Sequence, residues 1–189
     1  MIILGITGTL GSGKGTVVTY LAETRGFVHF SVREYIARRL HHDNIPVNRD
    51  TLTAKANELR AINGPAYIIE ELYKEAEALK KNCIIESIRT PGEIAVLRSK
   101  PYFFLLAVDA DSRKRYDRIR LRNSETDQVT FDTFLSNEQR EMYSTDPNNQ
   151  NLSECIRQAD VVIFNNGDLE ELYAQTEKFL SVVLKRDQQ

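Results

Sequence analysis

The sequence of 189 residues predicts an α/β fold, in which a doubly wound, parallel sheet of five strands forms the middle of three layers. Five short apolar runs are nearly continuous rather than alternating, as expected of strands that helices cover on both faces. Segments with helical spacing lie between these runs, an order that is typical of βαβ units. A glycine-rich turn follows the first run, at the end of the strand where such sheets bind ligands.

The apolar runs that predict strands are residues 2–7, 27–30, 83–86, 102–108 and 160–164. Two segments interrupt the simple alternation. Residues 31–80 hold about three helices, and residues 123–151 are polar with a turn signal at 146–149. Insertions of this length are usually binding elements or lids. We therefore expect a single domain over residues 1–189 with a binding insertion at 31–80 and a lid-like segment at 123–151, and a surface excursion without a role is the alternative.

The composition argues against several classes of partner. A hydrophobic fraction of 41% and a charged fraction of 28% are ordinary for a globular domain. The net charge of −2 favours neither a nucleic-acid partner nor an anionic membrane. The first apolar residues are interrupted at Gly8, so no signal peptide or membrane span is predicted there. Cys83 and Cys155 lack metal-ligand spacing and are interpreted as reduced packing residues, which suits a cytoplasmic protein.

The turn after the first strand reads Gly-Thr-Leu-Gly-Ser-Gly-Lys-Gly-Thr over residues 8–16. Its glycines let successive backbone amides converge on phosphate oxygens, and the helix that follows adds its positive end. A lysine here can reach the β- and γ-phosphates, and a hydroxyl can bind Mg²⁺. An ordinary tight turn is the alternative. The predicted nucleotide-binding residues are Gly11, Ser12, Gly13, Lys14, Gly15 and Thr16, with Thr16 one position beyond the usual hydroxyl, and the predicted cofactors are ATP and Mg²⁺.

The third strand ends in an acid that an arginine follows at short distance, Glu86 and Arg89. Carboxyl ends of parallel strands face the ligand crevice of such sheets. Glu86 can hold a water of the Mg²⁺ shell, and the planar fork of Arg89 can bind an acceptor phosphate. A helix-capping acid and a surface arginine are the alternative interpretation.

An arginine series lies on the helix after the fourth strand, where Arg115, Arg118 and Arg122 share one face at i, i+3, i+7 spacing. Interspersed aspartates leave a solvated, salt-bridged helix as the alternative, which we prefer for Arg113 and Arg120. For Arg118 and Arg122 we favour a role in phosphoryl transfer, because a transferring phosphoryl group needs fixed cations.

Together these motifs resemble the P-loop kinases of the nucleoside monophosphate kinase (adenylate kinase-like) and dephospho-CoA kinase group, over nearly the whole chain. The glycine-rich segment is similar to the adenylate kinase loop. Residues 159–172 look closer to dephospho-CoA kinases, in which this loop, with Asn166 and Gly167, lies against the adenine. The resemblance implies a P-loop NTPase fold with acceptor-binding helices and a lid.

The resemblance also assigns roles to residues outside the glycine-rich turn at 8–16, which we call the phosphate turn. Residues 29–38 are similar to the second strand and acceptor-binding helix, although Arg33 replaces a small residue and Glu86 the usual aspartate. The expected acceptor-binding residues are Ser31, Arg33, Arg38, Arg60, Arg89 and Arg140. The expected catalytic residues are Lys14, Glu34, Arg118 and Arg122, of which Arg118 also contacts ATP.

Three functions remain open from the sequence. The leading hypothesis is an ATP-dependent kinase acting on a (deoxy)nucleoside monophosphate, with dephospho-CoA as the alternative acceptor. Glu34 would be a general base for a hydroxyl acceptor and an orienting group for a phosphate, and a helix-capping role is equally open. The hypothesis from another class is an ATP-binding regulatory or partner-binding module. A protein that only changes state when it binds ATP needs no residues that bind an acceptor phosphate, so the arginine series disfavours this hypothesis. The sequence does not decide the oligomeric state.

Overall fold

Five parallel strands form one sheet in the computed structural model, which describes residues 1–122, 129–144 and 150–186. The strand order is β2-β3-β1-β4-β5. The strands are β1 (Ile3–Gly8), β2 (Val28–Ser31), β3 (Cys83–Glu86), β4 (Phe103–Asp109) and β5 (Val161–Phe164). Every predicted strand is present, and each boundary lies within one residue of its predicted position.

The helices of the described residues follow the predicted alternation. They are α1 (Lys14–Arg25), α2 (Val32–His42), α3 (Arg49–Asn63), α4 (Tyr67–Leu79), α5 (Pro91–Arg98), α6 (Ser112–Leu121), α7 (Phe131–Met142), α8 (Leu152–Arg157) and α9 (Leu169–Arg186). The insertion at 31–80 contains the three helices expected there, α2 to α4. Gly64 ends α3 with a φ of 103°, a conformation that glycine adopts without strain.

Two hydrophobic cores lie on opposite faces of the sheet. On one face, Val17 and Leu21 of α1 and Phe179 of α9 pack against strand residues that include Ile84. On the other face, helices α2 to α5 and α8 pack against the alternate positions of the same strands, including Ile85. Burial on both faces explains why the strands read as continuous apolar runs. The three-layer, doubly wound fold predicted from the sequence is therefore confirmed.

The segment predicted as a polar lid contains helix α7, which we did not predict. Its apolar residues follow helical spacing, and Phe134 joins Tyr116 and Ile119 of α6 in a small third core. The Thr130 hydroxyl accepts a hydrogen bond from the Thr133 amide and so caps the helix. The turn signal at 146–149 lies outside the described residues, as do 123–128.

Cys83 and Cys155 are both free and buried, so their interpretation as packing residues is supported. Among the described residues, no cluster of histidine, cysteine or acidic side chains could hold a metal by itself. None of the described helices combines the length and the apolar character that crossing a membrane requires.

Candidate active site

The turn between β1 and α1 has a backbone that requires glycine at several positions. Gly8, Gly11 and Gly13 have φ values of 134°, 77° and 104°. A Cβ atom at residue 8 would lie 1.9 Å from the carbonyl oxygen of Val108, and one at residue 13 would lie 2.3 Å from Nδ2 of Asn165. The turn is therefore closely packed between β4 and the loop after β5.

Lys14 begins α1 and folds back over the turn. Its Nζ donates hydrogen bonds to the carbonyl oxygens of Gly8, at 2.9 Å, and of Thr9, at 2.7 Å. Burial, together with the positive charge of Arg89, lowers the pKa of the Lys14 ammonium from 10.5 to about 8. Glu86 opposes this shift. A phosphate oxygen bearing negative charge would be a stronger acceptor for this ammonium than a neutral carbonyl.

Ser12 gives an independent indication that the turn fits a phosphate. The residue is completely buried, and its Oγ has no hydrogen-bond partner among the described residues. Buried hydroxyls normally have a partner, so a free donor inside a turn of this shape suits an anionic oxygen. The neighbouring hydroxyl of Thr9 is already used, because it donates to Oδ1 of Asp109 at 2.6 Å.

The loop after β5 is tied to the turn by Asn165, which we did not predict as a site residue. Its Nδ2 donates to the carbonyl oxygen of Ser12 at 2.8 Å, and its backbone N–H donates to the carbonyl oxygen of Asp109, also at 2.8 Å. Arg118 donates from Nη2 to the carbonyl oxygen of Asn165 at 2.8 Å, and its Nη1 is buried with no partner in the described part of the chain. The structure thus brings Arg118 beside the phosphate turn.

Asn166 and Gly167 lie on the same loop and are exposed. Oδ1 of Asn166 accepts a hydrogen bond from the Asp111 amide at 2.8 Å, and its carbonyl oxygen accepts one from Nζ of Lys114. These contacts hold the loop against the start of α6. Their contact with adenine remains a prediction from the resemblance.

Glu86 forms an ion pair that was not expected. Its Oε2 lies 3.1 Å from Nε2 of His29, a residue of β2 that is not among the predicted site residues. The hydrogen bond from His29 lowers the pKa of Glu86, and the charges of Lys14 and Arg89 lower it further, against the effect of burial. An ionised carboxylate is the kind of ligand that holds Mg²⁺ through water, so Glu86 fits that role. Thr16, the other predicted ligand, is half-buried in the first turn of α1.

Arg60 and Arg89 share Glu93 as a neighbour although they are distant in the sequence. Nη2 of Arg60 lies 3.9 Å from Oε1 of Glu93, and the backbone N–H of Arg89 donates to Oε2 of the same carboxylate at 2.8 Å. The Arg89 side chain reaches towards α7, where Nη1 lies 3.6 Å from Oε2 of Glu141 and donates to Oε1 of Gln150 at 2.9 Å. The charges of both residues affect Lys14, because Arg89 lowers the pKa of its ammonium and Glu141 raises it.

The remaining predicted acceptor residues of α2 lie apart from this pair. The Ser31 hydroxyl caps α2 by accepting a hydrogen bond from the Glu34 amide, and Arg33 is exposed. Arg38 forms an ion pair at 2.8 Å with Glu75 of α4. Ser31, Glu34 and Arg38 line a cavity of about 440 Å³ between β2, α2 and α4. Neither Arg60 nor Arg89 lines this cavity.

The arginines of α6 and α7 separate into different environments. Arg122 is exposed at the end of α6, and its charge lowers the pKa of Lys14, which places it on the side of the phosphate turn. Arg140 bonds within its own helix, to Asn137 and to the carbonyl oxygen of Ser136. The charge of Arg122 therefore acts on Lys14, whereas Arg140 contacts only residues of its own helix among its described partners.

Arg115, which shares the predicted face of α6, is 5% exposed and has a structural position. It donates to the carbonyl oxygens of Ala110, at 2.7 Å, and Leu10, at 3.3 Å, and it forms an ion pair with Glu138 of α7. These contacts connect α6, α7 and the phosphate turn. Helical spacing alone could not have indicated that this arginine is buried.

Comparison with known proteins agrees with the architecture. The family model described as an AAA domain matches residues 4–146. A UPF0200 protein from Methanococcus maripaludis is 27% identical over 191 residues, covering 99% of this chain and all of the relative, and one from Pyrococcus horikoshii is 28% identical over 190 residues, covering 97% and 98%.

Two solved structures share the fold along almost their whole length. TT1252 from Thermus thermophilus superposes with a TM-score of 0.63 at 22% identity, covering 95% of this chain and 96% of that one. Shikimate kinase from Bacteroides thetaiotaomicron superposes with a TM-score of 0.60 at 16% identity, covering 96% and 98%. The protein has the P-loop NTPase fold that these structures share, and by the family match over most of its length it belongs to the AAA domain family.

Proposed function

We propose that this protein transfers a phosphoryl group from Mg-ATP to a small nucleotide-like acceptor, in the first place a (deoxy)nucleoside monophosphate. The observation that carries the proposal is the arrangement of cations around the phosphate turn. Nζ of Lys14 lies inside the turn, bonded to the carbonyl oxygens of Gly8 and Thr9, and the charges of Arg89 and Arg122 both lower its pKa. A largely buried ammonium whose charge is disfavoured by neighbouring cations is stabilised when an anion binds beside it.

The donor side of the reaction is assigned to the turn and its neighbours. Backbone amides of residues 11–16, with the unpartnered Ser12 hydroxyl, would bind the phosphates of ATP, and Lys14 would bind the β- and γ-phosphates. Thr16 and Glu86 would hold Mg²⁺, Glu86 through water. When bound, Mg²⁺ supplies charge neutralisation for the transferring phosphoryl group.

The acceptor side is assigned to Arg60, whose guanidinium lies near Glu93, and to Arg89, whose backbone amide donates to the same carboxylate. Positioning an acceptor anion against the γ-phosphate requires fixed donors at close range, and the planar forks of two arginines provide them. Arg118 and Arg122 would neutralise charge on the transferring group. Helix α7, held by Glu141 over Arg89, would exclude water and so favour transfer over hydrolysis.

A hydroxyl acceptor, such as that of dephospho-CoA, is the second candidate, and one observation favours it. The Glu34 carboxylate has no hydrogen-bond or ion-pair partner among the described residues, and it lines the cavity beside β2. A free carboxylate can accept the proton of an attacking hydroxyl, whereas an ionised phosphate acceptor needs no base. Solved structures with this fold include a gluconokinase from Sinorhizobium meliloti and shikimate kinases.

The experiment is a panel of acceptors incubated with purified protein and Mg-ATP. The panel contains all ribo- and deoxynucleoside monophosphates, dephospho-CoA, gluconate and shikimate, and ADP release is measured. We expect release to depend on one acceptor class and to be lost in Lys14→Met. Slow hydrolysis that no acceptor accelerates would contradict the kinase proposal and favour a regulatory ATP-binding module.

A further inference from the structure

Glu93 is a buried acid that none of the assigned roles uses. It lies in the first turn of α5 and is only 2% exposed. Removing a carboxylate from water is costly unless charges and hydrogen bonds compensate, so a carboxylate in this position needs an explanation.

One oxygen of Glu93 fixes the turn after β3. Oε2 accepts hydrogen bonds from the backbone N–H groups of Arg89, at 2.8 Å, and Thr90, at 3.1 Å. The Thr90 hydroxyl in turn accepts from the Glu93 amide at 3.2 Å, which completes a capping box. The Cα of Arg89, and therefore the starting point of its side chain, is held by this carboxylate.

The other oxygen attracts Arg60 of α3. Nη2 of Arg60 lies 3.9 Å from Oε1 of Glu93, which is too far for a hydrogen bond but close enough for a strong charge interaction in a buried site. Nε of Arg60 is buried and has no hydrogen-bond acceptor among the described residues. The Arg60 guanidinium is therefore held near Glu93 by charge, while its Nε–H remains available to donate to another partner.

Burial is the largest influence on Glu93 and raises its pKa, while the amide of Arg89 and the charge of Arg60 lower it. A helix cap alone does not require a charged partner from a distant helix. The cap uses only Oε2, whereas Oε1 lies near Arg60, so the same carboxylate links α3 to the turn at Arg89.

We propose that Glu93 is a positioning residue that sets Arg60 and Arg89 as a two-arginine clamp for the oxyanion of the acceptor, a phosphomonoester or a carboxylate. The assignment of that oxyanion to an acceptor rests on the proposed kinase function. The positioning itself does not, because it is argued from the hydrogen bond of Glu93 with the Arg89 backbone amide and from its charge interaction with the Arg60 guanidinium.

The test is Glu93→Gln, because a glutamine oxygen can still accept both backbone hydrogen bonds while the charge that holds Arg60 is lost. With AMP-PNP filling the phosphate turn, inorganic phosphate is titrated by calorimetry. We expect the phosphate Kd to rise roughly tenfold, the acceptor KM found in the panel to rise by a similar factor, and kcat to change less than about threefold. Glu177→Gln, which breaks an acid–arginine pair with Arg25 on the opposite face of the sheet, should change none of these.

A double-mutant cycle separates positioning from simple stability. If Glu93 acts through Arg60, the variant with both Glu93→Gln and Arg60→Met should bind phosphate no more weakly than Arg60→Met alone. The proposal would be overturned if the rise in phosphate Kd of the double variant were the product of the two single rises. A Glu93→Gln protein with a lower Tm but unchanged phosphate Kd and KM would also overturn it. Should Glu93→Gln fail to fold, Arg60→Met keeps both amide bonds of Glu93, and an unchanged phosphate Kd in that variant overturns it. If no panel acceptor is phosphorylated but phosphate binding depends on Glu93, the kinase proposal fails while the clamp is supported.

Discussion

The side-chain amide of Asn165 lies 2.8 Å from the carbonyl oxygen of Ser12 and joins the loop after β5 to the phosphate turn. The two residues are at opposite ends of the chain, and both are buried. The same Asn165 side chain fills the space that a Cβ at Gly13 would need. The shape of the phosphate turn therefore depends on a residue outside the glycine-rich motif.

Replacing Asn165 with alanine should weaken both the fold and nucleotide binding. The Ser12 carbonyl would lose its partner in a buried place, at a cost of about 1–3 kcal/mol, and Tm should fall by about 5 °C. Because the turn loses its support, Mg-ATP affinity measured by calorimetry should fall roughly tenfold. The control is Asn63→Ala, which removes an exposed bond from a side-chain amide to the Leu59 carbonyl and should leave ATP affinity unchanged. A lower Tm with full ATP affinity would show that Asn165 supports the fold but not the shape of the turn.

The pKa of Lys14 makes a prediction about stability and pH. The folded protein releases this proton near pH 8, whereas the unfolded chain keeps it until about pH 10.5. Between these values the unfolded state binds more protons, so the free energy of unfolding should rise with pH, by up to about 3 kcal/mol. Urea unfolding of the wild type and of Lys14→Met across this range measures the difference between the two curves. Parallel curves would mean that the Lys14 pKa is not lowered in the folded state.

The sequence predicted the strands and the phosphate turn because those signals are local. Apolar runs identify strands that are buried on both faces, and the glycines with Lys14 follow from the backbone geometry of one turn. The contacts of Asn165 and His29 were not predictable in this way. Each joins residues far apart in the chain, and only the packing of the sheet with its helices brings their side chains together.

Helical spacing did not predict which arginine side chains of α6 are buried. It correctly placed Arg115, Arg118 and Arg122 on one face, yet these residues are buried, half-buried and exposed in that order. The difference follows from what each side chain contacts: Arg115 reaches the carbonyl oxygens of Ala110 and Leu10 and the Glu138 carboxylate, whereas Arg118 contacts the loop after β5. A sequence pattern gives the direction of a side chain on its helix, but not which neighbouring element covers it.

The buried position of Arg115 predicts a large effect on stability. Arg115→Met would leave the Glu138 carboxylate, whose side chain is 17% exposed, without its charged partner. Breaking such a pair from one side should cost about 3 kcal/mol, which lowers Tm by about 10 °C in a thermal melt. Replacing both residues with methionine should restore part of this loss, because the Glu138 charge is removed and only Asp109, 3.7 Å from Nε of Arg115 in the wild type, still loses a charged neighbour. The exposed pair of Arg157 with Glu154 is the control, and Arg157→Met should leave Tm nearly unchanged. A double variant no more stable than Arg115→Met would show that packing, rather than charge, dominates at this position.

Replacing Gly8 or Gly15 of the phosphate turn with alanine should change the free energy of unfolding in opposite directions. At Gly8 the backbone has a φ of 134° and a Cβ would lie 1.9 Å from the Val108 carbonyl oxygen, so Gly8→Ala should destabilise the protein by more than about 3 kcal/mol. At Gly15, inside α1, a Cβ would meet no atom within 4 Å. Alanine has the higher helix propensity, so Gly15→Ala should raise the free energy of unfolding by up to about 1 kcal/mol.

Mg-ATP affinity is a second quantity to measure for the Gly15→Ala protein. The usual phosphate-loop pattern carries serine or threonine at the position of Gly15, so a Cβ there is compatible with bound phosphates, and Gly15→Ala should retain Mg-ATP affinity within about threefold. Thermal melts with and without Mg-ATP measure both quantities in one experiment. A Gly15→Ala protein that is more stable but no longer stabilised by Mg-ATP would mean that the phosphates approach the backbone at residue 15 more closely than the helix geometry of α1 indicates.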